Sequence, residues 1–130
     1  GIIYRQQDGK GLEYQILDDL RHSDAQEPSH RAASRYDLVA APEDKPIRPA
    51  GSWNQGRIVI RGPIIEHWLN GEQMIRIDMD STKWAERVAA SKFEGRPEFG
   101  RRAGPILLQD HLDTVWFRKV RIREIQQSLN

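Results

Sequence analysis

The 130-residue chain predicts an all-β fold, an antiparallel β-sandwich with one short helix in a loop. Three observations carry that prediction. Apolar and polar residues alternate over Leu12–Leu17, and a period of two is the mark of a half-buried strand. Between Arg57 and Asp78 three strand-like runs follow one another, joined by Gly62-Pro63 and by Asn70-Gly71. Asn-Gly is the strongest two-residue hairpin signal, because both central positions of a type I′ turn need positive φ. The length suits one hydrophobic core and not two. A closed barrel is the alternative that the same pattern allows.

The elements follow in order. Ile2–Gln6 reads as a strand, Asp8-Gly9-Lys10-Gly11 as a turn, and Leu12–Leu17 as the returning strand of a hairpin. Leu12, Tyr14 and Ile16 fall on one side of it, Glu13, Gln15 and Leu17 on the other. Asp18–Ser34 is polar and aperiodic, and loops of that length in a small domain tend to be functional or mobile. Tyr36–Ala40 is a short ordered piece, and the prolines at 42, 46 and 49 make the next stretch extended coil. Arg57–Arg61, Ile64–Leu69 and Glu72–Asp78 form a meander rich in β-branched residues. Ser81 can cap a helix of about three turns running to Phe93, with Trp84, Val88 and Ala89 as its apolar stripe. Glu94–Ala103 is loop, Pro105–Asp110 a strand, and Leu112–Ile125 a long strand with a bulge between the parity of Val115 and Phe117 and that of Val120 and Ile122. Residues 1–125 therefore form one domain and 126–130 a tail. The chain opens inside a strand, with no start methionine and no signal segment, so upstream sequence is expected to be missing.

Composition narrows the chemistry. With no cysteine, disulfides and thiolate zinc sites are excluded. Twenty Lys and Arg against nineteen Asp and Glu give a formal charge of +1, spread along the chain. The one basic cluster, Arg118, Lys119, Arg121 and Arg123, alternates as a solvated strand face does, so nucleic acid is not an expected partner. No apolar run approaches the roughly 18 residues of a membrane span.

Four constellations could carry chemistry. Glu13 and Gln15 share a strand face with Arg5 if the hairpin pairs in simple register; acid, amide and guanidinium together can hydrogen-bond hydroxyls, unless the face is merely solvated. Gln109 and His111 share one face, flanked by Asp110 and Asp113, and histidine is the proton-transfer group of neutral pH. A divalent metal would also suit His with carboxylates, but no motif spacing demands one. Glu66, His67 and Trp68 form the third group, in which His67 is as readily structural as functional. The four tryptophans, Trp53, Trp68, Trp84 and Trp116, either fill the core or stack on the apolar face of a sugar. No nucleophile elbow, phosphate loop or dinucleotide fingerprint is present, nor the compact carboxylate pair of direct glycoside hydrolysis.

Several segments, taken in order, resemble the 3-keto-disaccharide hydrolase domain family: Gly1-Ile-Ile-Tyr-Arg5, Leu12-Glu-Tyr-Gln-Ile-Leu-Asp18, Tyr36-Asp37, Trp53-Asn54, Glu66-His-Trp-Leu-Asn-Gly71, Ser91-Lys-Phe93, Gly104 with Leu108-Gln-Asp-His111, and Val115-Trp-Phe-Arg118. Each motif alone is weak, and the ordered set covers nearly the whole chain. Leu112 departs from the family pattern, where glycine usually follows the histidine, and Lys119 stands where asparagine is common.

The resemblance implies a concanavalin A-like jelly roll and a bacterial protein of the periplasm or cell exterior. It implies cleavage of glycosides already oxidised to a ketone at sugar carbon 3, by elimination and then hydration. His111 would be the base or a metal ligand, Glu13 its partner in proton transfer, and Lys92 the stabiliser of the enolate. Arg5, Gln15 and Gln109 would hold the ketone and hydroxyls, with Asp37 and Asp110 orienting them. A divalent ion could assist and is not required. The competing expectations are a non-catalytic carbohydrate-binding module on the same sandwich, and an interaction domain in which Glu13, Gln15, Gln109 and His111 face separate surfaces.

Overall fold

The structure, a computed structural model, describes residues 1–96 and 98–126. Two three-stranded antiparallel sheets make up its regular core. The first contains β1 (Ile2–Gln7), β2 (Lys10–Tyr14) and β6 (Leu107–Leu108), in the order β2-β1-β6. The second is the predicted meander, β3 (Gly56–Arg61), β4 (Ile64–Leu69) and β5 (Glu72–Asp78), in sequence order. Asn70 and Gly71 turn β4 into β5 with φ of 48° and 89°, the left-handed pair that this dipeptide tolerates.

Alternation decides what each sheet buries. On β4, Ile65, His67 and Leu69 are buried while Ile64, Glu66 and Trp68 are half-exposed. On β1 and β2, Tyr4, Leu12 and Tyr14 point the same way, into one cluster with Ile65, Leu69, Ile75 and Ile77. The sheets thus face each other across a common apolar layer, as a sandwich requires. Gly100 brings the loop after the helix onto this layer, since a Cβ there would collide with the Leu12 side chain.

Polar groups tie the layer together. Tyr4 Oη lies 2.8 Å from His67 Nε2, and His67 Nδ1 lies 3.1 Å from the Ala33 carbonyl oxygen. A carbonyl only accepts, so the His67 proton sits on Nδ1, and Nε2 accepts from the tyrosine. The tyrosine oxygen in turn accepts from Arg35 at 3.3 Å. Arg35 is wholly buried, its guanidinium 4.9 Å from the Trp84 ring, with Nε and one terminal nitrogen unpartnered. Burial, aided by the Arg35 charge, drives the His67 pKa down to about 3. His67 is therefore a structural histidine.

The helix α1 (Thr82–Ala89) is capped by Ser81, whose hydroxyl accepts from the Trp84 N–H. It buries Trp84 and Val88, whereas Ala89 is exposed. It ends four residues before the expected Phe93, which is buried outside the helix and stacked on Phe99 at 3.9 Å.

Three strand boundaries also differ from expectation. β2 stops at Tyr14, because beyond it the chain exchanges backbone bonds with residues 33–36: Gln15 donates to Ser34 O at 3.1 Å and Ala33 donates to Gln15 O at 2.9 Å. Of the strand expected over Pro105–Asp110, Leu107–Leu108 forms as strand and Gln109 continues it through backbone bonds to Gly1. The strand expected over Leu112–Ile125 is absent from the described residues. Its first half keeps Val115 and Phe117 half-buried, while Val120 and Ile122 are exposed. Leu112 and Lys119 stand at φ 70° and 53°, which breaks the run at two points. These are the two positions where the sequence departs from the glycine and asparagine of the resemblance. Of the expected tail, residues 127–130 lie outside the described residues. No helix among the described residues is long and apolar enough to cross a membrane.

The buried neutral His67 makes a pH prediction. Its folded pKa lies below the usual 6.5, so the unfolded chain binds the proton more readily between the two values. Stability should be full above about pH 6.5 and fall as the pH drops toward 3. Urea unfolding across that window should show the decline, and His67→Gln should remove the part due to this residue. An unchanged slope in the variant would mean that His67 is not buried in the neutral form.

Candidate active site

The register of the first sheet builds the site. Ile2 pairs with Tyr14 on one side and Leu108 on the other, and Ile3 pairs with Glu13 and Leu107. Since Tyr4, Leu12 and Tyr14 face the core, Glu13 faces away from it. One row further out, Gly1 exchanges both backbone bonds with Gln109, at 2.9 and 3.2 Å, opposite Gln15. Glu13, Gln15 and Gln109 therefore share the outer face of one sheet. His111, two residues beyond Gln109, continues the same parity.

That face is the floor of a cleft of about 1410 Å³. Glu13, Gln15, Lys92, Gln109, Asp110 and His111 all line it. The polar loop Asp18–Ser34 forms one wall, built on two 3-10 turns, Ser23–Gln26 and Pro28–His30. Another wall carries Trp53 and Trp116, which are 42% and 73% exposed. Arg118 stacks its guanidinium on Trp53 at 3.9 Å. The remaining tryptophans serve otherwise: Trp84 is core, and Trp68 bonds Glu66 on the outer face of the second sheet at 2.9 Å.

Glu13 is the electrostatic centre of the floor. Burial raises its carboxyl pKa above the usual value, and the charges of Lys92 and His111 pull it back without cancelling the effect. No hydrogen bond from the described residues contributes to its state. Gly1 fits closely against it, since a Cβ at that position would strike the carboxylate. Gln15 is buried and turns its amide oxygen onto the Ile16 N–H at 3.0 Å, leaving its NH2 group as the donor for a ligand. Asp110 and His111 are exposed at the mouth, where Asp113 contacts His22 at 3.4 Å.

Two expected site residues stand elsewhere. Arg5 has the parity of Glu13, but a bulge between Tyr4 and Gln7 and a φ of 50° at Arg5 divert it. It donates to Gly100 O at 2.9 Å and lines a separate cavity of about 240 Å³ beside Asp80 and Arg101. Asp37 lies behind the cleft wall, 3.4 Å from His30. The residues that sequence reasoning missed are His22, Asp24 and His30, and the role of Tyr36. Their signal was the density of histidine and acid in the long loop. Asp24 would be raised by burial, but bonds from His30 and Tyr36, with the charges of His30 and His22, hold it below the usual value. Tyr36 is pushed up to about 12 by burial and by the Asp24 charge, so it remains a neutral phenol. Among the described residues no three His, Asp or Glu side chains converge as a metal cage.

With this geometry the chain can be set beside known proteins. A family model described as a 3-keto-alpha-glucoside-1,2-lyase-like domain matches residues 1–123. A 3-keto-disaccharide hydrolase of Bacteroides thetaiotaomicron is 32% identical over 126 residues, covering 85% of this chain and 43% of its own length. A crystal structure of a candidate glycosyl hydrolase from Parabacteroides distasonis superposes with a TM-score of 0.64 at 28% identity, covering 77% of this chain and 51% of that one. A second from the same organism gives 0.55 at 29% identity, covering 61% and 43%. This chain thus spans about half of these relatives or less.

The Glu13 environment is measurable. In a carbon-13 NMR titration its carboxyl should titrate above 4.5. Lys92→Ala should raise it further, because a cation that favours the carboxylate is lost. A Glu13 that titrates at or below its usual value would show the carboxylate to be open to water or paired.

Proposed function

The chain belongs to the 3-keto-alpha-glucoside-1,2-lyase-like domain family, and from that premise we propose that its cleft cleaves 3-keto-glycosides by elimination followed by hydration. The observation that carries the reading is Glu13, a half-buried carboxyl with a raised pKa and no hydrogen bond of its own, facing the same space as Lys92 and His111.

The chemistry follows from the ketone. A carbonyl at carbon 3 acidifies the hydrogen on carbon 2, and Glu13 takes that proton. The C–H electrons form the C2–C3 double bond of an enolate, whose oxygen the Lys92 ammonium stabilises. The enolate electrons then return to rebuild the ketone, a C1–C2 double bond forms, and the C1–O bond breaks. His111, at the open mouth, gives a proton to the departing oxygen. Water adds across the new double bond, hydroxyl to carbon 1 and proton to carbon 2. No oxocarbenium ion arises, so the paired carboxylates of direct hydrolysis are not needed. The raised pKa of Glu13 suits a base, since the ideal catalytic pKa lies near the working pH. Gln15 and Gln109 supply amide donors to hydroxyls on the floor, and Asp110 stands beside His111 at the rim.

A non-catalytic carbohydrate-binding module is the second reading, favoured by Trp53 and Trp116 in the cleft. It predicts binding without turnover.

Turnover of a 3-keto-glucoside in D2O separates the two. The product should carry deuterium at carbon 2, and Glu13→Gln should lower kcat by about 10²–10⁴-fold while the circular dichroism stays native. His111→Ala should fall by a similar factor on a poor leaving group and by less on a phenol that needs no proton. Release of sugar without deuterium at carbon 2 would eliminate the mechanism, and binding with no release would favour the module.

A further inference from the structure

Behind the cleft wall, contacts that the proposed chemistry does not use close into a ring. His30 Nδ1 lies 2.8 Å from Asp24 Oδ1, and His30 Nε2 lies 3.4 Å from Asp37 Oδ1. Each carboxylate spends its other oxygen nearby. Asp24 Oδ2 accepts from the Tyr36 hydroxyl at 3.2 Å, and Asp37 Oδ2 accepts from the Lys92 backbone N–H at 3.4 Å. The Tyr36 ring stacks on the His30 imidazole, centroids 4.2 Å apart and planes 17° from parallel. The Lys92 ammonium stands 4.5 Å from the centroid of the same Tyr36 ring and 5.3 Å from that of Phe93. Phe93 is itself fixed by stacking on Phe99. No carboxylate among the described residues is in ion-pair contact with Lys92.

We propose that Tyr36 is the platform that holds the Lys92 ammonium in the cleft, and that His30, clamped between Asp24 and Asp37, is the positioning residue that sets the platform. The inference rests on the role given to Lys92 above.

A lysine side chain has four rotatable carbons and samples many positions unless something selects one. An ion pair with a carboxylate would select a position but occupy the N–H groups. An aromatic face attracts the cation through its quadrupole and leaves those donors free. The ring must be held for this to work, and Tyr36 is half-exposed, so packing alone does not fix it. His30 fixes it from two sides. Rotating the imidazole would break both carboxylate contacts together, and Asp24 bonds the imidazole and the phenol with one carboxylate. Asp37 ties the backbone of Lys92 to the same histidine. Its φ of 65° is a left-handed conformation that aspartate tolerates better than most residues, and it places the carboxylate where both contacts can be made. The geometry thus couples a loop histidine to a cation on another segment without any direct contact between them.

The experiment pairs kinetics with a structural signal. Tyr36→Leu and His30→Ala should each lower kcat on a 3-keto-glucoside by about ten- to a hundredfold, with little change in KM, because Lys92 meets charge that develops only in the transition state. Tyr36→Phe keeps the ring and should lose less. Combined with Lys92→Ala, neither substitution should lower kcat further, since both act through that residue. Independently of turnover, carbon-13 methylation of lysines should give a Lys92 resonance shifted upfield by the Tyr36 ring, and the shift should vanish in Tyr36→Leu and shrink in His30→Ala. A Lys92 resonance unmoved by either substitution overturns the platform. Losses that add to that of Lys92→Ala overturn the positioning role while leaving the proposed reaction standing. Wild-type turnover in Lys92→Ala overturns the assignment of Lys92 in the reaction, and with it this inference.

Discussion

The pairing of Ile2 with Tyr14 on one side and with Leu108 on the other is the constraint on which the rest depends. Side chains alternate along a strand, so this register sends Tyr4, Leu12 and Tyr14 to the core and Glu13, Gln15 and Gln109 to the opposite face. A slip of β2 by one residue would bury the Glu13 carboxylate and expose Leu12 and Tyr14. The core half of the pattern is strongly enforced, because Tyr4 must meet His67 and Tyr14 must donate to the Trp68 carbonyl at 3.0 Å. The cleft half follows from it, being what the core half leaves on the other side.

The protein uses buried polarity in two ways. In the core, a directed chain runs from the Arg35 guanidinium through the Tyr4 oxygen to the His67 ring and the Ala33 carbonyl, while Arg35 Nε and one terminal nitrogen have no partner among the described residues. Burial holds His67 neutral, and nothing there is free to react. In the cleft, burial outweighs the Lys92 and His111 charges, and the Glu13 carboxyl, with no hydrogen bond among the described residues, is raised. The difference is satisfaction. His67, with both ring nitrogens bonded, contributes specificity, while the Glu13 carboxyl, with no hydrogen bond among the described residues, is the group proposed for proton transfer.

Much of this was legible in the sequence. The meander was, because Asn70-Gly71 dictates its turn and the β-branched runs flank it. So were two same-face pairs, Glu13 with Gln15 and Gln109 with His111, since parity needs no coordinates; that they meet on one face depends on the pairing of β6 with β1. The helix was overrun by four residues because Ser91, Lys92 and Phe93 are not in themselves helix-breaking; Phe93 leaves the helix to reach Phe99, a tertiary choice. Arg5 was misplaced because a bulge inverts parity, and no local signal marks it. The strand over Leu112–Ile125 failed for a related reason. Its residues have strand propensity, but propensity needs a partner edge, and none pairs with it among the described residues. The His30 cluster was hidden because its contacts join residues far apart in a polar loop, where no periodicity operates.

The proposed elimination asks for a base at carbon 2, a cation at the carbon-3 oxygen and an acid at the carbon-1 oxygen, and the residues proposed for these roles, Glu13, Lys92 and His111, line one cleft. The most direct test is a crystal structure of the Glu13→Gln variant with a 3-keto-glucoside bound. The account predicts carbon 2 directed at the residue-13 amide, with the carbon-3 ketone oxygen within hydrogen-bond reach of the Lys92 ammonium. A sugar seated with carbon 2 turned away from residue 13, or bound outside the cleft, would contradict it.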